Sequence, residues 1–209
     1  MNSNKFVKTV LVGTGTLLIL AGGMTAVIDP FFHYHKPLKQ LEYPLERGKE
    51  RYLNNGIIQN FDYDAAITGT SMMQNFKTSQ FDDLFGTHSV KVTLTGDTYW
   101  AIDEEIRTIF DNKSDIKYIF RCLDYNKIFD DKSDYNYDNV PTYLYDNNIW
   151  NDVQYLFNKD IFIDNTLGVI KYTLHGEKTP SMDEYSSWAA DYPVGTDYVL
   201  QTYSVPTKI

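Results

Sequence analysis

The most regular hydrophobic pattern in the chain is an uncharged run over residues 9–28. Lys5 and Lys8 precede this run, and Asp29-Pro30 follows it. Twenty helical residues extend about 30 Å, which is the thickness of the hydrocarbon core of a bilayer. Because the residues before the run are basic and the rest of the chain is acidic, the pattern predicts a single membrane-spanning helix with its amino terminus in the cytoplasm. The body of the protein is then extracytoplasmic.

A cleaved signal peptide is the main alternative, and a buried helix of a soluble protein is a second one. The apolar part of a signal peptide usually covers about 7 to 15 residues and ends at a site of small residues. Here the run is longer, and the small residues Ala21, Gly22, Gly23 and Ala26 lie inside it. The pattern therefore favours an uncleaved anchor that makes the membrane a partner of the protein.

The segment after the run is rich in aromatic residues and bounded by proline, from Asp29 to Pro37. Aromatic rings at this level are typical of the membrane interface, where we expect them to pack. His33 and His35 would share one face of an extended segment, but no nearby Cys, Asp or Glu completes a set of metal ligands. Residues 44–60 then predict a helix, with Pro44 in its first turn.

Beyond residue 60, segments with strand and helix patterns alternate. Strands are predicted at 65–67, 89–95 and 116–123, and helices at 78–85 and 98–110. This order implies right-handed crossovers and a parallel sheet with helices on both faces, a three-layer α/β fold. A further helix is predicted at 151–158, the rest of 124–165 is predicted to be loop, and no clear element follows Gly168. We therefore divide the chain into an anchor (1–28), a juxtamembrane segment with a helix (29–60) and an α/β domain (61–209).

Composition restricts the possible functions. The chain has 209 residues, 43% of them hydrophobic, with 17 Tyr, 12 Phe and 3 Trp, which is enough for a folded core. Its net charge of −9 repels phosphate backbones, so we do not expect nucleic-acid binding. Cys122 is the only cysteine, which excludes an intramolecular disulfide and a Cys-rich metal site. We expect no cofactor and no bound metal.

Ser71 is the main catalytic candidate because it follows the first predicted strand. Sites in parallel sheets form at the carboxyl ends of strands, here residues 69–72, 96–98 and 124–126. A serine at such an end can serve as the nucleophile of acyl transfer, with Gly96 offering a backbone N–H to the oxyanion. Asp124 lies on a neighbouring loop, as do Asp97 and Asn126. The structural alternative is that Ser71 only caps a helix and Gly96 only allows a turn.

These motifs resemble the SGNH, or GDSL-like, hydrolases, in which a Gly-Asp-Ser block follows the first strand. Gly69-Thr70-Ser71 occupies that place here. The Asp-Pro-Phe-Phe-His-Tyr motif at 29–34, the stretch 60–72 and Leu123-Asp-Tyr at 123–125 resemble bacterial membrane-anchored proteins of this superfamily that accompany cell-surface polysaccharide genes. The resemblance covers roughly residues 5–190. It implies a Ser71 nucleophile, a Gly96 oxyanion donor and an acylated cell-surface glycan as substrate.

One element of that family pattern is missing. The superfamily takes its base from a late Asp-x-x-His block, and none of the four histidines has an aspartate three residues before it. A serine needs such a base to act as a nucleophile at neutral pH. His175 would replace it only if folding brings it to Ser71. We therefore expect an incomplete SGNH-like sheet, truncated before this block. The hypothesis is a serine esterase or O-acyltransferase, inactive or incomplete in this chain, and the alternative is a non-catalytic accessory protein of polysaccharide assembly.

Two further patterns lie in the acidic, tyrosine-rich region. Asp134-x-Asn136-x-Asp138 matches the opening of a calcium loop, but Asn139 and Tyr145 stand where such a loop has Gly and Glu. A solvated acidic loop is the better interpretation. Aromatic side chains in the same region either stack on sugar rings or cover the loop; these are Tyr135, Tyr137, Tyr143, Tyr145 and Trp150.

Overall fold

Three parallel strands form the centre of the fold, in the spatial order β2-β1-β3. They are β1 (Ala65–Gly69), β2 (Ser89–Thr93) and β3 (Tyr118–Arg121). The computed structural model describes residues 3–45, 47–131, 140–146 and 148–188. All three strands lie within the predicted α/β alternation, and the parallel sheet is confirmed.

In the described part of the chain, six α-helices and several short 3₁₀ or π-helical segments accompany the sheet. The α-helices are α1 (Ser3–Ile28), α2 (Glu50–Asn60), α3 (Thr78–Phe85), α4 (Tyr99–Asn112), α5 (Val153–Leu156) and α6 (Leu167–Leu174). Short 3₁₀ helices cover Ser71–Asn75, Tyr125–Lys127 and Thr142–Leu144. A π-helical segment, Ile161–Thr166, leads directly into α6.

The strand order explains why helices cover both faces of the sheet. The chain moves from β1 to β2 in one direction and then crosses β1 to reach β3, so two crossovers of the same hand place α3 and α4 on opposite faces. On one face Ala66, Val90 and Val92 pack with buried residues of α2 and α4. On the other face Ala65 and Ile67 pack with residues of the 3₁₀ helix and α3. Alternation along each strand thus divides the core into two layers.

A helix is predicted at 44–60, but α2 begins only at Glu50. Gly48 has a φ of +81°, which lies in the left-handed region and is incompatible with a continuous right-handed helix. Farther along α2, Gly56 has a different role. A Cβ built at this position would lie 2.0 Å from the Phe31 carbonyl oxygen, so only glycine lets α2 approach that turn.

The helical segment at 161–174 is not predicted by the sequence, and α5 covers only part of the predicted helix at 151–158. Residues 161–174 contain Gly168 and several β-branched residues, which lower intrinsic helix propensity. Tertiary packing overrides that local preference, since Ile161 and Val169 are buried in the main core.

The first long helix contacts the body at its carboxyl end. Gly22, Thr25 and Ile28 are buried, and the Thr25 and Thr166 hydroxyls lie 3.2 Å apart. The Ile28 carbonyl accepts a hydrogen bond of 2.9 Å from the Tyr43 hydroxyl. The earlier part of α1 is mostly exposed, and α1 is long and apolar enough to cross a membrane.

In the aromatic segment after α1, Phe31 and Phe32 pack in the core and not at a membrane interface, contrary to the prediction from the sequence. Phe31 and Phe32 are 3% and 1% exposed and belong to the main core. The reason is Asp29, whose carboxylate accepts hydrogen bonds from the backbone N–H groups of His33, Tyr34 and His35. These bonds close a tight turn that folds the segment back against α2.

Candidate functional site

Ser71 lies at the carboxyl end of the central strand and begins the 3₁₀ helix. Gly69 ends the strand with a φ of +143°, and a Cβ at this position would lie 2.6 Å from the Met73 side chain. Thr70 caps the 3₁₀ helix, since its hydroxyl faces the Met72 N–H at 3.5 Å. The cap is therefore Thr70, and Ser71 is left at the edge of the sheet.

A cavity of about 490 Å³ opens beside Ser71. Its lining residues come from three parts of the chain and are Arg47, Gly48, Ser71, Gln74, Thr95 and Trp188. The Trp188 indole N–H donates a hydrogen bond of 2.8 Å to the Ser71 carbonyl, which ties the late segment to the end of β1. Ser71 itself is half-buried and is one of the residues that line this cavity.

Asp124 follows β3 and reaches the same end of β1. Its carboxylate accepts a hydrogen bond from the Thr70 hydroxyl and faces the Cys122 thiol at 3.6 Å. Its backbone carbonyl accepts a hydrogen bond of 2.8 Å from the Tyr99 hydroxyl. In the order β2-β1-β3 the connections diverge between β1 and β3, which is where open α/β sheets bind ligands. Asp124 is thus next to Ser71 in the fold, but its hydrogen bonds hold the loop together.

Gly96 lies in the turn between β2 and α4, with a φ of +68°. Its carbonyl accepts a hydrogen bond of 3.1 Å from the Lys127 ammonium. Within the described part of the chain, the lining of the Ser71 cavity includes the neighbouring Thr95 but neither Gly96 nor Asp124. The structure therefore brings the three predicted residues to one edge of the sheet without gathering them around one cavity.

All four histidines of the chain lie at described positions, and none of them borders the Ser71 cavity. His88 is at the amino end of β2, the opposite edge of the sheet. His175 follows α6 and lies 3.7 Å from Glu177 on the surface. His33 lies 3.4 Å from Asp152, and its backbone N–H donates a hydrogen bond to the Asp29 carboxylate.

A buried polar network below the cavity is not predicted by the sequence. The Glu50 carboxylate accepts hydrogen bonds of 3.0 Å from Gln74 and from Thr95, and it faces Ser186 at 3.4 Å. Lys91 is fully buried and donates to the backbone carbonyls of three residues, Gln74, Asp183 and Tyr185, at 2.7 to 3.0 Å. Burial lowers the pKa of Lys91 to about 8. The signal was present in the sequence, because Lys91 lies between two inward-facing valines of a buried strand.

Two further cavities continue from the Ser71 cavity. The first, of about 760 Å³, shares Gly48 and Thr95 with it. The second, of about 450 Å³, shares Arg51 and Leu94 with the first. Each cavity has aromatic side chains in its lining, which are Trp188 beside Ser71, Tyr52 and Tyr143 in the largest, and Trp100 and Tyr145 in the last. Together they form a groove with polar and aromatic walls.

Charged side chains line these two further cavities. Arg51 forms an ion pair with Asp97, which is 8% exposed. Glu105, on α4, is 5% exposed and accepts a hydrogen bond of 3.1 Å from the Tyr145 hydroxyl. Its other carboxylate oxygen has no hydrogen-bond partner among the described residues. Burial raises the pKa of Glu105 to about 7, against the opposing effects of Tyr145 and Arg51.

The remaining sequence-based candidates have different outcomes. Among the described residues, no group of three or more His, Cys, Asp or Glu side chains is placed to hold a metal. The calcium-like pattern at 134–138 lies outside the described residues, together with Tyr135 and Tyr137. Tyr145 is structural in part, because its hydroxyl shares its one hydrogen between Glu105 and the Arg51 carbonyl, which is 2.6 Å away. Trp150 is 82% exposed.

The chain matches no protein-family model, no curated protein and no solved structure. The resemblance to SGNH hydrolases therefore stands on the quoted motifs alone, and the function that it implies is a proposal.

Proposed function

We propose that this chain is a membrane-anchored, extracytoplasmic SGNH-like protein that acts on acyl groups of a cell-surface polysaccharide through Ser71. The observation that carries the proposal is the position of Ser71 at the carboxyl end of the central strand, at the edge of a 490 Å³ cavity. The reaction would be ester hydrolysis or O-acyl transfer through a serine ester. Tyrosine and tryptophan side chains along the connected groove suit the apolar faces of sugar rings, and the polar groups suit their hydroxyls.

The chemistry requires a base for the Ser71 hydroxyl. In the first step the serine oxygen attacks the ester carbonyl, its proton passes to the base and then to the departing alcohol, and a serine ester is left; water or an acceptor hydroxyl then takes the acyl group and frees the serine. None of the four histidines lines the cavity. The Asp124 and Glu50 carboxylates already accept hydrogen bonds, from Thr70 and Thr95 respectively. This arrangement gives specific support to a second candidate function, a non-catalytic accessory protein that binds polysaccharide in the groove.

A retained anchor fits the packing of α1 better than a cleaved signal does. Thr25 is fully buried and Ile28 is 7% exposed, and both lie against the body. Removal of α1 would expose Phe31, Tyr43 and other apolar core residues that pack beside Ile28. The measurement is the mass of the mature protein in isolated membranes. Loss of about the first 28 residues would overturn the anchor.

Fluorophosphonate labelling separates the two candidate functions. Such a probe phosphonylates an activated serine, so we expect a covalent adduct on the folded full-length chain in detergent that Ser71→Ala abolishes. Ser114→Ala is the matched control, because Ser114 is exposed and follows α4, away from the cavity. A folded wild-type protein that does not react rejects the serine enzyme. Binding of a polysaccharide fragment by that same unreactive sample then supports the accessory function.

A further inference from the structure

We propose that the body carries a lipid-contacting collar around α1, formed by Trp150, Val153, Phe157, Ile163 and Leu167. The collar enters the outer leaflet and supplies part of the apolar length that the anchor needs. This inference rests on the proposed retention of α1 in the membrane. It does not depend on any reaction at Ser71.

The collar residues lie on or next to the elements that contact α1. A Cβ built on Gly22 would lie 2.9 Å from the Phe157 ring, so α1 and the end of α5 are in direct contact. The π-helical segment meets α1 through Thr166, whose hydroxyl faces Thr25. Gly22 precedes Thr25 and Ile28 in α1, so Phe157 is on the side of the body from which the membrane-facing part of α1 extends.

The exposed apolar side chains follow helical spacing on both elements. Val153 and Phe157 are four residues apart and are 52% and 49% exposed. Ile163 and Leu167 are also four residues apart and are 48% and 38% exposed. Trp150, which precedes α5, is 82% exposed. Two apolar ridges and a tryptophan therefore flank α1, and tryptophan is enriched at membrane interfaces.

The length of α1 explains why the body would need a lipid-contacting collar. One face of α1 is docked on the body from Gly22 onward, so only residues 9–21 of the uncharged run are clear of the body on every side, and thirteen residues span about 20 Å. Snorkelling of Lys5 and Lys8 would extend the apolar length to residue 6, or about 24 Å. A hydrocarbon core is about 30 Å thick. Immersing the collar by several ångströms removes this mismatch.

Charges near the collar limit its depth. Lys159, Asp160 and Asp164 are exposed on the same segments. Charged groups are costly in hydrocarbon, so these side chains would remain at the headgroup level while the apolar ridges lie just beneath it. The collar is therefore an interfacial contact of the folded body and not a second membrane span. It fixes how the body is oriented relative to the bilayer.

Tryptophan quenching tests the collar on the full-length chain in phosphatidylcholine vesicles. Lipids brominated on the upper acyl chain quench tryptophans that reach the hydrocarbon. We expect quenching in the wild type that Trp150→Phe largely removes and Trp100→Phe leaves in place, since Trp100 lines a cavity. Equal quenching in the wild type and the Trp150→Phe variant would overturn the proposal.

A second pair of variants, each of which introduces a new tryptophan, tests the collar at a position other than 150. In the Trp150→Phe background, Ile163→Trp should restore bromine quenching, whereas Phe129→Trp should not. Phe129 is 88% exposed but lies on the loop after β3. Absence of quenching at position 163 in a chain that resists carbonate extraction rejects the collar and leaves the anchor intact. Release of the chain by carbonate rejects both.

Discussion

The Thr70 hydroxyl donates a hydrogen bond to the Asp124 carboxylate and thereby joins the carboxyl ends of β1 and β3. These two strands are neighbours in the sheet, although about fifty residues separate them in the chain. The bond fixes Thr70, the residue between the end of β1 and Ser71. Thr70 therefore links the residue before Ser71 to the loop that follows β3.

Breaking this bond should loosen the edge of the sheet. Thr70 is 4% exposed, and a hydrogen bond to a charged group contributes about 1.5 to 3 kcal/mol. We expect Thr70→Val to lower the free energy of unfolding by roughly 1 to 2 kcal/mol, measured by denaturant unfolding in detergent. A double-mutant cycle with Asp124→Ala, which removes the acceptor, should show coupling between the two positions. Purely additive effects would show that the two side chains do not interact in solution.

Glu105 should make stability depend on pH in the neutral range. Its folded pKa, about 7, is above the ordinary 4.5, so the folded state binds the proton more tightly than the unfolded state does. The resulting stabilisation is full below pH 4.5 and is lost as the pH rises through 7; its size is roughly 3 kcal/mol. We expect Glu105→Gln to match the wild type near pH 5 and to be more stable at pH 8.5.

The control for Glu105 is its neighbour Glu104, which is half exposed on the same helix. Glu104→Gln should leave the pH profile unchanged between pH 5 and 8.5. If the wild type and the Glu105→Gln variant show parallel profiles over this range, the Glu105 carboxylate is not desolvated in the folded protein.

Two glycine-to-alanine substitutions in helices should change the stability of the protein in opposite directions. Alanine at a helix position is normally more favourable than glycine by up to about 1 kcal/mol. A Cβ added to Gly168, in α6, would have no atom within 4 Å, so Gly168→Ala should raise the thermal midpoint. At Gly56 the added methyl group would meet the Phe31 carbonyl, so Gly56→Ala should cost at least about 2 kcal/mol. Stabilisation by both substitutions would contradict the close approach of α2 to Phe31.

Asp183 caps α3 from a distance of about one hundred residues in the chain. Its carboxylate accepts hydrogen bonds from the Ser79 N–H at 2.8 Å and from the Thr78 hydroxyl at 3.0 Å. We expect Asp183→Ala to cost about 1 to 2 kcal/mol, as loss of a helix cap does, and to accelerate amide hydrogen exchange in the first turn of α3. Asp111→Ala, at an exposed position of α4, should change neither quantity. Unchanged exchange in α3 would show that the cap is not formed in solution.

The sequence predicts the sheet because its signals are local. Ala65, Val90 and Ile119 lie in short β-branched or apolar runs bounded by turn residues, and the strands form there. The position of Ser71 at a strand end follows from the same signals. Elements that depend on distant contacts are not predicted, and α6 is the main example. Its Gly168 and β-branched residues have low helix propensity, so the helix forms because of its packing against the core.

The site is harder to predict than the fold because it depends on side chains from separate segments. Trp188 and Arg47 join Ser71 in its cavity from opposite parts of the chain, and no local pattern connects them. The Arg51–Asp97 ion pair and the buried environment of Glu105 are also formed by segments that are distant in the chain. The prediction that Phe31 and Phe32 lie at the membrane interface is wrong, since aromatic composition alone does not distinguish an interfacial ring from a core ring.

The segment 183–188 has a consequence for biogenesis. It supplies two of the three carbonyls that satisfy Lys91, the hydroxyl that faces Glu50 and the indole that holds the end of β1. A nascent chain that stops short of residue 183 would have to bury an ammonium group in the sheet with most of its partners missing, which is costly. The domain therefore cannot complete its fold strand by strand during synthesis. It must stay loosely formed, and open to chaperones and proteases, until this late segment arrives.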